Sequence, residues 1–249
     1  MVKIIGHRGA SDDAPENTIS SIKEAFVQGA DGVEVDIRLT KDKKVVCIHD
    51  KNTIRTTGLS LEVKNTNYRE LKNLDAGGWK GTAWKDELIP SLEEVLKEVP
   101  LDKEIFIEVK TGLGIMDPLT SLVLSSKIML KNISIISFND QVIKEIKLRL
   151  PDTTCNLLTA FDPSYNEKDL PNLLKEIGAD GVGVQNHPKL TKDFIDKIKS
   201  INKDVHVWTV NEGDEAKKYS LLGLSSITTN RPKHIKNCLS APNASFVAV

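Results

Sequence analysis

Short apolar runs rich in β-branched residues recur along the chain and alternate with longer stretches of helical periodicity. Eight of these runs are typical of buried strands. They cover Lys3–Gly6, Gly32–Leu39, Glu104–Lys110, Ile133–Ser137, Thr154–Thr159, Gly181–Gln185, Asp204–Val210 and Ser225–Thr229. A further run, Val45–Ile48, follows a lysine-rich turn and is expected to pair back on the second strand as a hairpin.

The stretches between these strands carry signals for the start and the end of helices. They predict helices at Asn17–Gly29, Ser91–Val99, Asp140–Leu150, Glu167–Ile177, Thr191–Ile201 and Pro232–Leu239. Asn17 and Ser91 are the expected N-caps of the first two helices, and Gly29 is the expected end of the first.

Regular alternation of strands and helices indicates parallel strands joined by right-handed crossovers. Eight such units favour a closed (β/α)8 TIM barrel of the α/β class, and the length of 249 residues suits that fold. An open dinucleotide-binding sheet is disfavoured, because no G-x-G-x-x-G motif opens a helix.

The predicted domain organisation is a single catalytic barrel over residues 1–240 with one interruption. About forty residues of mixed character, residues 51–89, separate the hairpin from the third strand and predict a small insertion after the second strand. Residues 241–249 form a tail to which the sequence assigns no structure.

Composition narrows the range of functions. The formal net charge of -1 provides no general attraction to nucleic acid or to an anionic membrane. No apolar run approaches the ~18 residues of a membrane span, and an apparent strand begins too early for a secretory signal. We therefore expect a cytoplasmic protein, whose oligomeric state the sequence does not reveal. Three widely separated cysteines argue against a disulfide framework and a cysteine metal site.

Carboxylates occur where the second and third predicted strands end, which is the functional edge of a parallel barrel. Glu34 and Asp36 share one face of a strand, and Glu108 belongs to the next strand. Two carboxylates on a buried face need protons or a cation, and a third makes a cation the better explanation. All-oxygen ligands predict one hard divalent cation, magnesium or calcium, with manganese as a further option.

Two histidines and two cationic side chains accompany these acids. His7 and Arg8 end the first strand, His49 follows the hairpin run, and Lys110 follows Glu108. A hard cation beside Arg8 and Lys110 suits a phosphate group. The histidines suit a displacement that needs a general base and a general acid.

A structural alternative requires no catalysis. Glu34 and Asp36 could instead pair with Arg38 or Lys110 in a buried ion network.

Several motifs occur in the order and spacing of a known family. The most specific set is His7-Arg8-Gly9-Ala10, Pro15-Glu16-Asn17-Thr18, Gly29 to Asp42, and His49-Asp50. Weaker later matches are Ile89 to Val95, Ile107 to Lys110, Ser137-Phe138 and Val207 to Asn211. On these motifs the chain resembles the glycerophosphodiester phosphodiesterase family over nearly its whole length.

The resemblance implies a (β/α)8 barrel that hydrolyses glycerophosphodiesters to an alcohol and glycerol 3-phosphate, with a small insertion over the barrel mouth. The implied metal ligands are Glu34, Asp36 and Glu108. The implied acid–base pair is His7 and His49, and the implied phosphate ligands are Arg8 and Lys110. The expected partner is a small-molecule glycerophosphodiester, and no nucleic acid or membrane span is expected.

Other residues near the motifs are less clearly assigned. Asn17 could cap a helix or could bind substrate or order the site. Trp208, close to a strand end, favours a substrate wall over a core role, whereas Phe138 is expected in the core. His187 and His206 have no acidic motif around them and, like His234, receive no role.

One position departs from the family pattern. The family commonly has an aspartate after the last strand, where this chain has Asn230 in Thr229-Asn230-Arg231-Pro232. An amide keeps hydrogen bonding but loses a charge. We expect this change to alter tuning or substrate preference and not to abolish activity.

Two rival functions remain at this stage. One is a related phosphodiesterase acting on lysophospholipids or sphingolipids, which would need an apolar, membrane-seeking mouth. The aromatic residues of the segment 51–89, Tyr68, Trp79 and Trp84, are scattered and form no apolar stripe, which favours a water-soluble substrate. The other rival is a non-catalytic barrel that binds phosphodiesters.

Overall fold

The β-strands position the candidate site, and nine of them lie in residues 2–161 and 169–240, the part described by this computed structural model. They are β1 (Lys3–His7), β2 (Gly32–Leu39), β3 (Val45–Cys47), β4 (Glu104–Val109), β5 (Ile133–Ser137), β6 (Thr154–Thr159), β7 (Gly181–Gln185), β8 (Asp204–Trp208) and β9 (Ser226–Thr229). All nine predicted runs are therefore strands. The largest error is β8, which ends two residues before the predicted Val210.

The strands form a closed barrel, as predicted. Its order is β1-β9-β8-β7-β6-β5-β4-β2, and pairing of β1 with β2 closes it. All pairs within the barrel are parallel, so the strands end at the same rim. β3 pairs antiparallel with β2, which confirms the expected hairpin.

Ten α-helices lie in the described residues. They are α1 (Ile19–Val27), α2 (Ile54–Thr57), α3 (Tyr68–Leu71), α4 (Leu92–Glu98), α5 (Met116–Ser125), α6 (Asp140–Arg149), α7 (Leu170–Glu176), α8 (Lys192–Lys199), α9 (Gly213–Leu221) and α10 (Pro232–Ser240). None of these helices is long and apolar enough to cross a membrane. The first two residues of the predicted helix Glu167–Ile177, and the tail 241–249, lie outside the described residues.

Helix boundaries follow local capping chemistry. Ser91 caps α4 in a reciprocal capping box with Glu94, as predicted. The predicted cap Asn17 is wrong: α1 starts at Ile19, and Thr18 accepts the hydrogen bond from the Ser21 backbone. Asn17 has a left-handed φ of 59°, and its side chain turns toward the barrel instead.

Four of the ten helices were not predicted: the short α2 and α3 in segment 51–89, and α5 and α9 between barrel strands. Gly112 and Gly114 precede α5, Pro118 lies in its first turn, and Gly213 begins α9. Such residues usually interrupt helical periodicity, but a proline in the first turn loses no intrahelical hydrogen bond. The local sequence therefore gives only a weak helix signal where α5 and α9 begin.

The main core lies between the barrel and its helices, and alternation along each strand separates it from the interior. On β2, Val33, Val35 and Ile37 are fully buried in this core, whereas the intervening Glu34 lines the interior cavity. The segment 51–89 packs against β3 and the residue that follows it in a separate small apolar cluster. That cluster comprises Val46, Ile48, Val63, Leu71, Leu74, Ala76 and Ile89.

Candidate active site

A cavity of about 330 Å³ opens at the carboxyl ends of the barrel strands. Seven of the residues that line it carry charged or titratable groups: His7, Arg8, Glu34, His49, Glu108, Lys110 and His206. Much of the remaining lining is apolar, including Phe106, Ile136, Leu158 and Trp208. The structure thus brings most of the residues expected at the site into one cavity.

Three buried carboxylates form the centre of the site. One oxygen each of Glu34, Asp36 and Glu108 lies within 4.8 Å of the others, which is close enough for a shared metal ion. Parallel pairing places Asp36 directly beside Glu108 on the neighbouring strand. The Oε1 atom of Glu34 is buried without a hydrogen-bond partner among the described residues, whereas the buried Oδ1 atom of Asp36 lies 3.2 Å from Lys110 Nζ. Closely spaced carboxylate oxygens fit a hard divalent cation.

Mutual repulsion changes the pKa values of these carboxylates. Burial, and then the charges of Asp36 and Glu108, raise the pKa of Glu34 well above its ordinary value. Burial and Asp36 also raise the pKa of Glu108, although Lys110 opposes them. Burial alone would raise the pKa of Asp36, but Arg8 and Lys110 outweigh it and hold that pKa low. A bound cation would remove this conflict.

Arg8 and Lys110 are paired with the carboxylates. The Arg8 backbone N–H donates to Glu34 Oε2 at 2.9 Å, and its Nε lies 3.1 Å from Asp36. Lys110 Nζ lies 2.6 Å from Glu108 and 3.2 Å from Asp36. The structural alternative of an ion network is thus correct in part. The same cationic groups also line the cavity, where they can face a phosphate.

Asn17 positions a carboxylate. Its Nδ2 donates to Asp36 Oδ2 at 2.9 Å, and its Oδ1 accepts from the Asp36 backbone N–H at 3.0 Å. Asn17 is buried and does not line the main cavity. These hydrogen bonds favour a site-ordering role for Asn17 over substrate binding, the two options that the sequence left open beside helix capping.

His7 is held by Asn230, the residue that departs from the family pattern. Its Nδ1 lies 2.7 Å from Asn230 Oδ1, which also accepts from Ser11 Oγ at 3.1 Å. An amide oxygen can only accept, so Nδ1 carries the hydrogen and Nε2 is left unprotonated toward the site. Burial, and then the charge of Arg8, lower the pKa of His7 to about 4.

His49 is oriented by a chain of charged groups. Its Nδ1 lies 2.7 Å from Asp50 Oδ1, and Asp50 Oδ2 accepts from Arg55 Nε at 2.6 Å. Arg55 also donates twice to Glu16, at 2.7 and 2.8 Å, and Glu16 in turn accepts from Arg8 Nη1 at 2.9 Å. Although burial opposes it, hydrogen bonds from Arg55 and His49 lower the pKa of Asp50 to about 2. An ionised carboxylate therefore holds His49.

The backbone of His49 is fixed by Arg38. Arg38 Nε and Nη2 both donate to the His49 carbonyl oxygen, at 2.8 and 2.6 Å. Arg38 makes no ion pair with Glu34 or Asp36 within the described residues, unlike the pairing considered from sequence. It ties β2 to the loop that carries His49.

Aromatic side chains form part of the cavity wall. Trp208 lines the cavity as predicted, and its ring meets Phe138 edge to face at 5.5 Å between centroids. The expectation that Phe138 lies in the core is wrong. It is 50% exposed and also lines the cavity, because it follows the last residue of β5 at the rim.

The insertion contributes to the site differently from the expected roof. None of the described residues that line the cavity belongs to segment 51–89. The insertion reaches the site through Arg55 on α2, which binds Glu16 and Asp50. Sequence reasoning missed Arg55, because its partners Glu16 and Asp50 lie in separate motifs and its short helix has no motif of its own.

Asn156 and His206 were also missed. Both line the cavity, on β6 and β8 respectively. Their only sequence signal is a polar residue within a buried, mostly apolar strand. For His206 the signal is weaker still, because no acidic motif surrounds it.

Comparisons with known proteins agree with this geometry. The family model described as the glycerophosphoryl diester phosphodiesterase family matches residues 7–234. A glycerophosphodiester phosphodiesterase from Caldanaerobacter subterraneus subsp. tengcongensis is 31% identical over 243 residues, covering 94% of this chain and 96% of the relative.

Solved structures show the same relationship. A phosphodiesterase from Oleispira antarctica, in complex with the product sn-glycerol-3-phosphate, superposes with a TM-score of 0.86 at 26% identity, covering 96% of this chain and 97% of the other. A glycerophosphodiester phosphodiesterase from Thermotoga maritima superposes with a TM-score of 0.80 at 25% identity, covering 95% and 98%.

Proposed function

We propose a reaction for this chain from the premise that it belongs to the glycerophosphoryl diester phosphodiesterase family. It is an enzyme that hydrolyses glycerophosphodiesters, so the hypothesis of a non-catalytic barrel is wrong. The proposal concerns how it does so: with one hard divalent cation, and with two histidines that transfer protons. The observation that carries it is the buried cluster of Glu34, Asp36 and Glu108 beside both histidines.

The metal ligands in this proposal are Glu34, Asp36 and Glu108. Their mutual repulsion, and the buried Oε1 atom of Glu34 that has no partner among the described residues, support it. When bound, magnesium, calcium or manganese would polarise the phosphoryl group and offset its negative charge. Asn17 holds Asp36 in place through two hydrogen bonds.

His7 is the general base in this scheme. Its Nδ1 hydrogen is held by Asn230, and its pKa of about 4 leaves Nε2 free to accept a proton at neutral pH. Nε2 takes that proton from the attacking hydroxyl as a new P–O bond forms. The attacking group is either water or a free hydroxyl of the substrate.

His49 is the general acid. It donates a proton to the alcohol oxygen as the original P–O bond to that oxygen breaks, so the alcohol leaves neutral. An aspartate that holds Nδ1 stabilises and orients a protonated imidazole, the arrangement used in other proton-transfer pairs. Asp50 occupies that position at 2.7 Å. His7 then releases the proton that it accepted and His49 takes up a proton, so both histidines return to their starting states.

Arg8 and Lys110 bind the phosphate in this proposal. Both line the cavity and both are held by carboxylates, so their positions are fixed before substrate arrives. A related phosphodiesterase binds the product sn-glycerol-3-phosphate. We extend this to the present chain and propose that its product is glycerol 3-phosphate, together with an alcohol.

Metal titration tests the proposal. Thorough chelation should abolish release of glycerol 3-phosphate, and a hard divalent cation should restore it. The same cation should raise the melting temperature of the wild type, because a ligand that binds only the folded state stabilises it. Glu34→Gln should lose both responses. Its metal-free form should melt no lower than the wild type, since one of three mutually repelling buried carboxylates becomes neutral.

A matched control shows whether the loss is specific. Glu176→Gln changes an exposed carboxylate on α7, away from the cavity, and should keep both responses. Full activity of the wild type after chelation would refute the metal requirement.

A further inference from the structure

The cavity continues below the carboxylates toward the amino ends of the strands. Asn156 lies two residues before Leu158 on β6, and His206 lies two residues before Trp208 on β8. Alternate residues share a face, so each pair faces the interior. All four residues line the cavity. Asn156 and His206 therefore lie one interior layer deeper, about 7 Å along the strand at about 3.3 Å per residue.

Asn156 has hydrogen-bonding groups that the protein leaves unused. Its side chain is 1% exposed, and neither Nδ2 nor Oδ1 has a hydrogen-bond partner among the described residues. An unpaired buried amide destabilises a fold, because it gives up hydration and receives nothing in return. A leucine would occupy similar space without that cost. The amide is thus better explained by a ligand than by packing.

His206 presents a second unused group to the same space. Its Nδ1 lies 2.8 Å from Ser226 Oγ, while Nε2 has no partner in the described part of the chain. Its ring is held against Phe106, with 5.6 Å between centroids. Burial lowers the pKa of His206 to about 4, so the ring is neutral and Nε2 can donate or accept according to its tautomer.

Glycines on β7 make room for the side chains of the neighbouring strand β6. β7 lies between β6 and β8, and its cavity-side residues include Gly181 and Gly183. A Cβ at Gly181 would lie 2.8 Å from Asn156 Oδ1, and a Cβ at Gly183 would lie 2.6 Å from Leu158 Cδ2. Neither position admits a side chain, so nothing from β7 fills this part of the interior.

The charges of the cavity lie in its upper part. The acidic and cationic lining residues, such as Glu108 and Lys110, come from the ends of the strands. The deeper layer pairs neutral Asn156 and His206 with the apolar Phe106. Neutral donors and acceptors in an apolar surround suit an uncharged hydroxyl better than an ammonium group.

Resting on the proposed function, we propose that Asn156 and His206 bind a terminal hydroxyl of a short polyol esterified to the phosphate. They would thereby act as specificity-determining residues. A three-carbon polyol attached to a phosphate at the level of Glu108 has the length to reach them. The hydroxyl belongs either to the glycerol that is retained in the product or to the alcohol that leaves.

Three substrates distinguish these sources. They are glycerophosphoglycerol, an analogue whose leaving alcohol lacks its terminal hydroxyl, and an analogue whose retained glycerol lacks its hydroxyl at position 1. The wild type should show a kcat/KM lower by roughly 10–100-fold for the analogue that lacks the bound hydroxyl, since buried polar groups are then left unpaired. Whichever analogue is affected identifies the source.

Variants link this preference to the two residues. Asn156→Leu and His206→Phe should lower kcat/KM for glycerophosphoglycerol by roughly 10–100-fold, mainly through KM. They should leave the affected analogue nearly unchanged. Asn156→Leu should also melt no lower than the wild type. Thr153→Val is the control, because Thr153 has a buried, unpartnered hydroxyl outside the cavity.

The outcomes separate this inference from the proposed function. A wild type that hydrolyses none of the three diesters would overturn the proposed function. A wild type that hydrolyses all three equally well would overturn the inference alone, whether or not a variant folds. Variants that slow all three substrates to the same extent would do likewise, and would assign the deep polar groups to bound water.

Discussion

The chemistry of His7 depends on a single neutral neighbour. Asn230 accepts from His7 Nδ1 and brings no charge to it, so burial and Arg8 set a pKa of about 4. A carboxylate at the same place would attract the imidazolium form. Without such a carboxylate, burial and Arg8 keep the proposed base unprotonated over a wide range of pH.

Asn230→Asp should move the acidic limb of the pH–rate profile to higher pH. The new negative charge favours protonated His7 and raises its pKa, so the base is lost at a higher pH as the solution is acidified. We expect a displacement of about 1–2 pH units, the usual effect of a close opposite charge. Profiles of kcat/KM for wild type and variant measure it.

Asn139→Asp is the matched control for that experiment. Asn139 caps α6, where its Oδ1 accepts backbone hydrogen bonds and an aspartate can do the same. Its profile should coincide with that of the wild type. An unshifted acidic limb in Asn230→Asp would contradict the assignment of His7 as the base.

Arg55 connects the two sides of the site. It binds Glu16 and Asp50 at once, and these carboxylates hold Arg8 and His49 respectively. Arg55→Ala should lower kcat by roughly 10–100-fold, because His49 loses its fixed orientation. Arg55→Lys should recover little of this, since an ammonium group cannot reproduce the planar fork of contacts.

Steady-state kinetics and melting temperature together check the role of Arg55. Arg69→Ala, an exposed change on α3, is the control and should alter neither. If Arg55→Ala kept full kcat, Arg55 would be a surface ion-pair residue only.

Individual site residues differ in how far local sequence can reveal them. Strand alternation predicted that Glu34 and Asp36 share a face, and pairing of neighbouring strands brought Glu108 to them. Arg55 and Asn156 follow no such rule. Arg55 is recognised by the carboxylates that it binds in the folded chain, and Asn156 by the lack of a hydrogen-bond partner among the described residues. No spacing in the sequence predicts either feature.

At the scale of elements, strands were easier to predict than helices. Buried barrel strands are continuous apolar runs, and the carboxyl ends of these runs are marked by polar residues. Helices α5 and α9 begin with residues that usually break helices, so their local signal was weak although tertiary packing supports them. The helix cap at Ser91 could be predicted, because its capping box combines two side-chain-to-backbone hydrogen bonds.

The capping box of α4 also connects this helix to the insertion. Glu94 accepts from Ser91 and from the hydroxyl of Tyr68 on α3, and it pairs with Lys72. Although burial opposes them, these contacts lower the pKa of Glu94 to about 2. The ionised carboxylate therefore joins the insertion to α4.

Glu94→Gln should destabilise the protein by about 1 kcal/mol at pH 7, because the amide keeps the cap but loses its charge. A depressed folded pKa stabilises the fold above the unfolded value near 4.5, and this stabilisation is lost as pH falls toward 2. The difference should therefore be full at pH 7 and smaller at pH 3.

Urea unfolding at pH 7, 5 and 3 measures the effect of Glu94→Gln. The exposed Glu176→Gln serves as control and should differ little from the wild type at any of these values. A difference for Glu94→Gln that stays constant with pH would show that its charge does not matter.

At the scale of the whole molecule, the barrel limits the size of the substrate. The charged groups lie in the upper part of a cavity of about 330 Å³, which suits a small polar diester but not a long acyl chain. With a formal net charge of -1, the chain has no basic excess to hold it on anionic lipid. The proposed substrate is therefore water-soluble and deacylated. This proposal differs from the rival hypothesis, in which the substrate is a lysophospholipid or a sphingolipid.

Hydrolysis of glycerophosphocholine should accordingly be rapid, while phosphatidylcholine vesicles should remain intact under the same conditions. The free hydroxyl beside the phosphate lies within reach of the group that it would attack, and His7 can take its proton, giving a cyclic phosphate that water then opens. The 2-deoxy analogue lacks this hydroxyl and should be cleaved far more slowly. Phosphorus NMR follows all three substrates and would detect the cyclic product.

Rapid cleavage of the vesicles would refute the soluble substrate. Equal cleavage of the deoxy analogue would instead assign the attack to water and leave the metal and histidine roles standing.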